Sequence, residues 1–314
     1  MDPLSTLVQL LSPTGTLDLR CRIAAPWTAA HAQTAPGRIP YHAILQGEAR
    51  IEGLAAPLRL APGDIVLFPR GAAHHLLFAG GAHGRGPASR TRTRFNGVVN
   101  EVSLKGSAER RQDDDLDMLC GTFTLGAPGA MLLQALPEVL HIGTAGQDDS
   151  RWLRGLLEMM RTEAAHPQPG SQAIVGELST ALFTGLLRTV LARGTVATGL
   201  LALMADGRLA RAVQAMFDAP ERPWSVAGLA ALANMSRATL ARRFAGLGQT
   251  TPLELLTRLR MQRAATLLES GNAPIAAVGQ QCGYQSQAAF GRVFRQHYGT
   301  GPRAWRAERR RASA

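Results

Sequence analysis

The chain has 314 residues, 46% of them hydrophobic and 18% charged, enough for two domains with real cores and unlike a disordered or fibrous protein. Its net charge of +11 is local: residues 211–314 hold fifteen arginines against five acids, while residues 1–210 sit near balance at +1. Three cysteines, Cys21, Cys120 and Cys282, argue against a secreted disulfide scaffold, and with no apolar run of about 18 residues and no basic leader the expected location is cytoplasmic, away from membranes.

Residues 15–80 read as β structure. Ile39–Gly47, Glu48–Gly53, Pro57–Leu60 and Asp64–Pro69 are short strand-like runs, and Ala61-Pro62-Gly63-Asp64 is a strong turn signal. Such spacing suggests a barrel or sandwich. From His83 to Asp117 the pattern dissolves into Gly, Arg and Ser and then ERRQDDDLD, so residues 83–117 are expected to form a long mobile loop interrupting the barrel. A strand resumes at Met118–Leu125, MLCGTFTL.

Helices take over after Asp149. Arg151–Ala165 has apolar residues at helical spacing and is stopped by Pro167 to Gly170; Ser171–Gly194 is a second, more apolar helix. Joined by a short loop, residues 149–194 make an antiparallel pair. The second helix is apolar on more than one side, so the pair is a candidate homodimer seam. Residues 195–205 are expected to be a linker. Asp206 then caps the helix that opens a basic domain over 206–308.

That domain repeats itself. WSVAGLAALANMSRATLARRFAGLGQTTP (224–252) lies over APIAAVGQQCGYQSQAAFGRVFRQHYGTGP (273–302). At an offset of 50 residues Ser236 meets Ser286, Leu240 meets Phe290, Arg242 meets Arg292 and Phe244 meets Phe294. Each copy is a short helix, a turn, a Ser cap and a second helix, which is the helix-turn-helix layout. Leu240, Phe244, Phe290 and Phe294 anchor the second helices. Their opposite faces carry Ala238, Ala241, Arg242 and Ala245, then Ala288, Ala289, Arg292 and Arg295, with Arg237 and Gln287 following the two serine caps as further DNA-contact candidates. Small residues let such a helix enter a major groove, Arg can pair with guanine and Gln with adenine. Between the copies, Pro252–Ser270 reads as one helix about 28 Å long, suited to holding two reading helices near one DNA turn apart. Its Arg258, Arg260 and Arg263 are either phosphate contacts or a solvated face.

Residues 206–307, with ATLARRF and GYQSQAAFGRVFRQHYGTGPRAWR, resemble the DNA-binding domain of the AraC/XylS family of bacterial transcription regulators. The resemblance implies double-stranded operator DNA and RNA polymerase as partners, a regulator that activates, and base-reading residues at Ala238, Ala241 and Arg242 in one helix and Gln287, Ala288, Ala289 and Arg292 in the other.

The N-terminal half carries Gly63, Pro69, Gly71 and His74 in the spacing G-x5-P-x-G-x2-H, which is similar to the second motif of cupin barrels. The motif's later Asn is replaced by Phe78, and its first partner motif is reduced to His42. The fold class is therefore α+β: a cupin-like sensor barrel over 1–148 with a helical pair, then an all-α domain with two helix-turn-helix units. His42 and His74 supply two metal ligands where a cupin metalloenzyme needs about three or four, so an enzyme with a DNA-binding tail is the weaker reading and no cofactor is expected. TLDLRC and MLCGTFTL resemble segments of a subgroup that includes oxidant sensors. That implies redox roles for Cys21 and Cys120, through a thiol of lowered pKa and a second that traps the product as a disulfide. Two alternatives stand beside it: both are buried structural cysteines, or Cys21, Cys120, His42 and His74 hold zinc. A small-molecule effector using Trp27 and Tyr41 is a further input. Cys282 reads as core.

Overall fold

The computed structural model describes residues 2–24, 26–78, 91–104, 115–125, 136–147, 150–194 and 196–313. It separates into two compact units, one built on Pro13–Gly126 with Leu136–Arg193, the other on Met1–Ser12 with Gly194–Ala314. A short helix, α1 (Pro3–Leu11), capped by Asp2, begins the chain.

The first unit contains β1 (Thr14–Ile23), β2 (Trp27–His31), β3 (Arg38–Gln46), β4 (Ala49–Glu52), β5 (Leu58–Leu60), β6 (Asp64–Leu67), β7 (His74–Phe78), β8 (Thr91–Phe95), β9 (Asn100–Leu104), β10 (Leu116–Thr124) and β11 (Leu140–Gly143). They form a seven-stranded sheet in the order β11-β6-β3-β10-β1-β9-β8 and a four-stranded sheet β2-β7-β4-β5. All these pairs are antiparallel except β1 with β9. Ile23, Ile44, Ile51, Phe68, Leu76 and Met118 are fully buried in one cluster contributed by both sheets, which is how antiparallel sheets hide their inner faces.

Two helices complete this unit, α2 (Arg151–Ala165) and α3 (Ser171–Arg193). By length and composition α3 could span a membrane, but it packs on β1 and α2 as a core helix. It comes close because β1 has Gly15, where a Cβ would lie 2.5 Å from the Ser179 Cβ. The Gly15 amide donates to Thr180 Oγ1 at 3.1 Å. A buried ion pair ties the sheet to α2: Arg20 grips Asp117 at 2.6 and 3.0 Å and donates to the Arg161 carbonyl.

The second unit holds α1 with α4 (Leu200–Ala205), α5 (Leu209–Asp218), α6 (Val226–Leu232), α7 (Arg237–Gly248), α8 (Pro252–Ser270), α9 (Ile275–Gln281), α10 (Gln287–Tyr298) and α11 (Pro302–Ser313). Thr251 and Glu254 close a capping box at the start of α8, with Pro252 in the first turn.

Two expectations are corrected here. Residues 83–117 are not wholly loop: β8 and β9 lie within them, and 83–90 and 105–114 fall outside the described residues. Residues 195–205 are not simply a linker, since 200–205 fold as α4, whose Leu203 would contact a Cβ placed on Gly248 at 2.7 Å. The helix α1 clusters with the second unit, where Gln262 donates to the Leu10 carbonyl.

Candidate functional site

The second unit builds two matched helix pairs. In each, a left-handed residue makes the turn, Asn234 at φ 51° and Gly283 at φ 82°, followed by a serine cap. Ser236 Oγ accepts from the Thr239 amide at 3.2 Å and Ser286 Oγ from the Ala289 amide at 3.1 Å. One backbone donor at each helix start is thereby accounted for. Leu240, Phe244, Phe290 and Phe294 are fully buried, and Phe290 meets Phe294 edge to face with centroids 5.6 Å apart. Burial of that side turns the opposite face outward. Arg237, Ala238, Ala241 and Arg242 on α7 are exposed, as are Gln287, Ala288, Arg292 and Arg295 on α10; Ala289 is half-buried. Arg237, Arg242 and Arg292 have no ion pair with the described residues.

The arginines of α8 behave differently. Arg260 donates to the carbonyls of Pro220 and Arg222 at 2.7 and 2.8 Å and lies over the Tyr284 ring. Arg263 pairs with Glu221 at 2.8 Å. These two tie α8 to the segment before α6, rather than forming a solvated stripe. Cys282 is fully buried among Phe290, Phe294 and Val278, and burial pushes its thiol up to about 11.

In the first unit the cysteines and histidines gather in the interior, where the two sheets face each other. Cys21 on β1 is opposite Met118, and Cys120 on β10 is opposite Leu19. The two cysteines are thus diagonal neighbours within one buried cluster. On its other side β10 pairs with β3, setting Cys120 opposite His42; His42 Nδ1 is 3.0 Å from Cys120 Sγ. His42 Nε2 reaches across to His74 Nε2 at 2.9 Å. His74 is fixed by its own Nδ1, 2.8 Å from the Ala72 carbonyl, and by stacking on Phe68 at 3.7 Å. His31, opposite His74 in the β2–β7 register, stacks on the same ring at 4.7 Å.

The protons of this chain follow from its end. A carbonyl only accepts, so His74 Nδ1 carries hydrogen and its Nε2 is a bare lone pair in the neutral ring. His42 must therefore donate from Nε2 and accept at Nδ1 from the Cys120 thiol. Burial acts in the same direction: it holds His42 well below the ordinary histidine range, lowers His31, and brings His74 down to about 4. Contact with Cys21, then burial, pushes the Cys120 thiol well up. The expected juxtaposition of Cys21 with Cys120 and of His42 with His74 is present; the expected lowered pKa is not found at Cys120. His75 is exposed on the far side of β7, and Tyr41 is buried against Phe123 at 4.5 Å. Trp27 lines a cavity of about 470 Å³ with Phe78, Arg50 and Arg59. Sequence reasoning missed His31, whose only signal was its place at the end of a short strand.

A family model described as Cupin matches residues 2–192, and one described as Helix-turn-helix domain matches residues 229–308. Over 310 residues the chain is 31% identical to a Streptomyces lividans protein described as an AraC-like transcription regulator, covering 98% of both. This chain belongs to the AraC-type transcription regulators. It is also 29% identical over 308 residues to the Escherichia coli K12 RCS-specific HTH-type transcriptional activator RclR, covering 98% of this chain and 97% of that one. Among solved structures, the DNA-binding domain of AdpA in complex with a target DNA is 34% identical, covers 34% of this chain and 96% of its own, and has a TM-score of 0.32. As an AraC-type regulator, the protein binds DNA through its helix-turn-helix half and carries a cupin-type sensor domain.

Proposed function

We propose that this regulator activates transcription by reading an operator with α7 and α10, and that oxidation of Cys21 and Cys120 is its input. On the output side, Arg242 and Arg292 stand at equivalent exposed positions of two capped helices, where each can pair with a guanine; Gln287 suits adenine. Ala238, Ala241, Ala288 and Ala289 keep the approach close, and Arg237 and Arg295 flank it for phosphates.

The observation that carries the input is the diagonal placement of two buried cysteines on adjacent strands, in one interior cluster. Hypochlorous acid is small and neutral and suits an interior site. One thiol takes chlorine from it, giving a sulfenyl chloride and water. The second sulfur displaces chloride, and its proton leaves as HCl. The pair loses two electrons, hypochlorous acid gains them, and a disulfide remains. Cys120, whose thiol holds its proton, is assigned the second step. Diagonal neighbours in a sheet lie about 7–8 Å apart at Cα, beyond the roughly 6.8 Å limit of a relaxed disulfide. Closing the bond therefore draws β1 along β10. It also removes the hydrogen that His42 accepts. Because Gly15 and Thr180 tie β1 to α3, the strain reaches the helical pair, whose outward Ile174 is 45% exposed. A homodimer seam there and a contact with RNA polymerase complete the reading.

Peptide mapping of the full chain after one equivalent of hypochlorous acid tests it. The expected product is a Cys21–Cys120 disulfide with Cys282 still free. Two free thiols after a full transcriptional response would retire the oxidant input. The cavity beside Trp27 favours a small-molecule effector as the second reading, and that input would survive Cys21→Ala and Cys120→Ala.

A further inference from the structure

We propose that the cavity beside Trp27 is a site for a small aromatic monocarboxylic acid, held by Arg50 and Arg59 on the outer face of the four-stranded sheet. The proposal rests on the second reading above, that this cavity takes an effector, and adds the charge and shape of the occupant. It uses none of the interior cysteines or histidines.

The site is built by strand register. Thr28 is opposite Leu77, Leu77 is opposite Arg50, and Arg50 is opposite Arg59, so the four make one row across β2, β7, β4 and β5. Residues paired in this way share a face of the sheet. Their chain neighbours Leu76, Ile51 and Leu60 are buried, so the row looks outward. Trp27 and Phe78, opposite one another at the next register position, join Leu77 to give the cavity of about 470 Å³ its apolar wall.

The charges call for an anion. Two guanidiniums directly opposite each other cost a sheet stability, and nothing in the row offsets them. Arg59 has no ion pair with the described residues. Arg50 has Glu52 on its own strand at 2.9 Å, with the side chains 51% and 41% exposed, a pair of little strength. One carboxylate can accept from both guanidiniums, whose planar forks match its two oxygens. Glu48 also lines the cavity, so the lining sets two positive charges against one negative. A monoanion balances that, whereas a second carboxylate on the ligand would meet Glu48. The flat indole of Trp27 beside Phe78 suits an aromatic ring, and the volume lies in the range of small-molecule pockets. Arginines that only solvate a sheet need no apolar wall beside them.

The test is calorimetric titration of the full, reduced chain with naphthoate, with the neutral naphthylmethanol and with naphthalene dicarboxylate. Wild type should bind one equivalent of naphthoate saturably, and the alcohol and the dianion about 10-fold or more weakly. Arg59→Gln and Arg50→Gln, both at exposed positions, should each weaken naphthoate about 10–100-fold, the value of a hydrogen bond to a charged group, and leave the alcohol unchanged. Arg92→Gln, exposed on β8 away from the cavity, should bind naphthoate as wild type does. Equal affinity for acid and alcohol, naphthoate binding by Arg59→Gln equal to wild type, or the same loss in Arg92→Gln would each overturn the assignment. If acid and alcohol bind equally well, the anion site fails while the effector reading of the cavity stands. If neither binds, both fail, and the disulfide reading is left to its own peptide map.

Discussion

The two units place their chemistry on opposite sides of their cores. In the sensor unit the reactive groups are inside: Cys21, Cys120, His42 and His74 are all buried. In the DNA-binding unit the interior is aromatic and inert, and the arginines of α7 and α10 are outside. The difference follows the size of what each must meet. A duplex cannot enter a protein, so its readers need an exposed face with small residues between the charges. A small oxidant can enter, and burial there shields the thiols from larger reagents. Cys282 marks the boundary of the idea: it is as buried as Cys21 but sits among rings with no second thiol in its cluster, and no input is assigned to it.

The largest effect expected from breaking this contrast is inside the sensor. Asp117→Ala leaves Arg20 charged and 2% exposed, which should cost about 3–5 kcal/mol. Urea unfolding monitored by hydrogen exchange in β1 and β10 checks this, and the DNA-binding unit should keep its own midpoint.

Next come the readers. Arg242→Ala or Arg292→Ala should cost about 1–3 kcal/mol on a selected operator and much less on random DNA at the same salt. Equal loss on both in titrations would make these arginines phosphate contacts only.

Smaller still are the caps. Ser236→Ala and Ser286→Ala should each cost about 1 kcal/mol, visible in thermal melts as a small loss in the helical unit.

The smallest effect is a pH slope. The Cys282 thiol is raised from 9.0 to about 11 by burial. Between those values the folded chain keeps a proton that the unfolded chain releases, so stability should fall as pH rises through that window. Urea midpoints of the helical unit should show the slope in wild type, and Cys282→Ala should remove its share.

Legibility in the sequence divides along the same line. The DNA-binding unit repeats itself and carries its signals locally. Serine caps, an aromatic every four residues and the Thr251-Pro252-x-Glu254 start of α8 place its elements from neighbours alone. In the sensor unit, β3, β4 and β6 were readable from short apolar runs between turns. β8 was not, because all five of its residues are exposed on an edge strand and no alternation marks it. α4 is six residues with no side-chain cap, too short for a helical period to show. The cluster itself is non-local. His31 reaches His74 through the β2–β7 register, and Cys120 reaches His42 through β10–β3; strand pairing made those neighbours, and local sequence does not encode it.

The most direct measurement is a hydroxyl-radical footprint of the full chain on a genomic fragment selected by binding, taken reduced and again after hypochlorous acid. The account predicts two protected tracts about one helical turn apart, one weakened by Arg242→Ala and the other by Arg292→Ala, and a change in protection on oxidation that Cys120→Ala abolishes. A single tract erased equally by either arginine substitution, or an oxidant response that persists without Cys120, would contradict it.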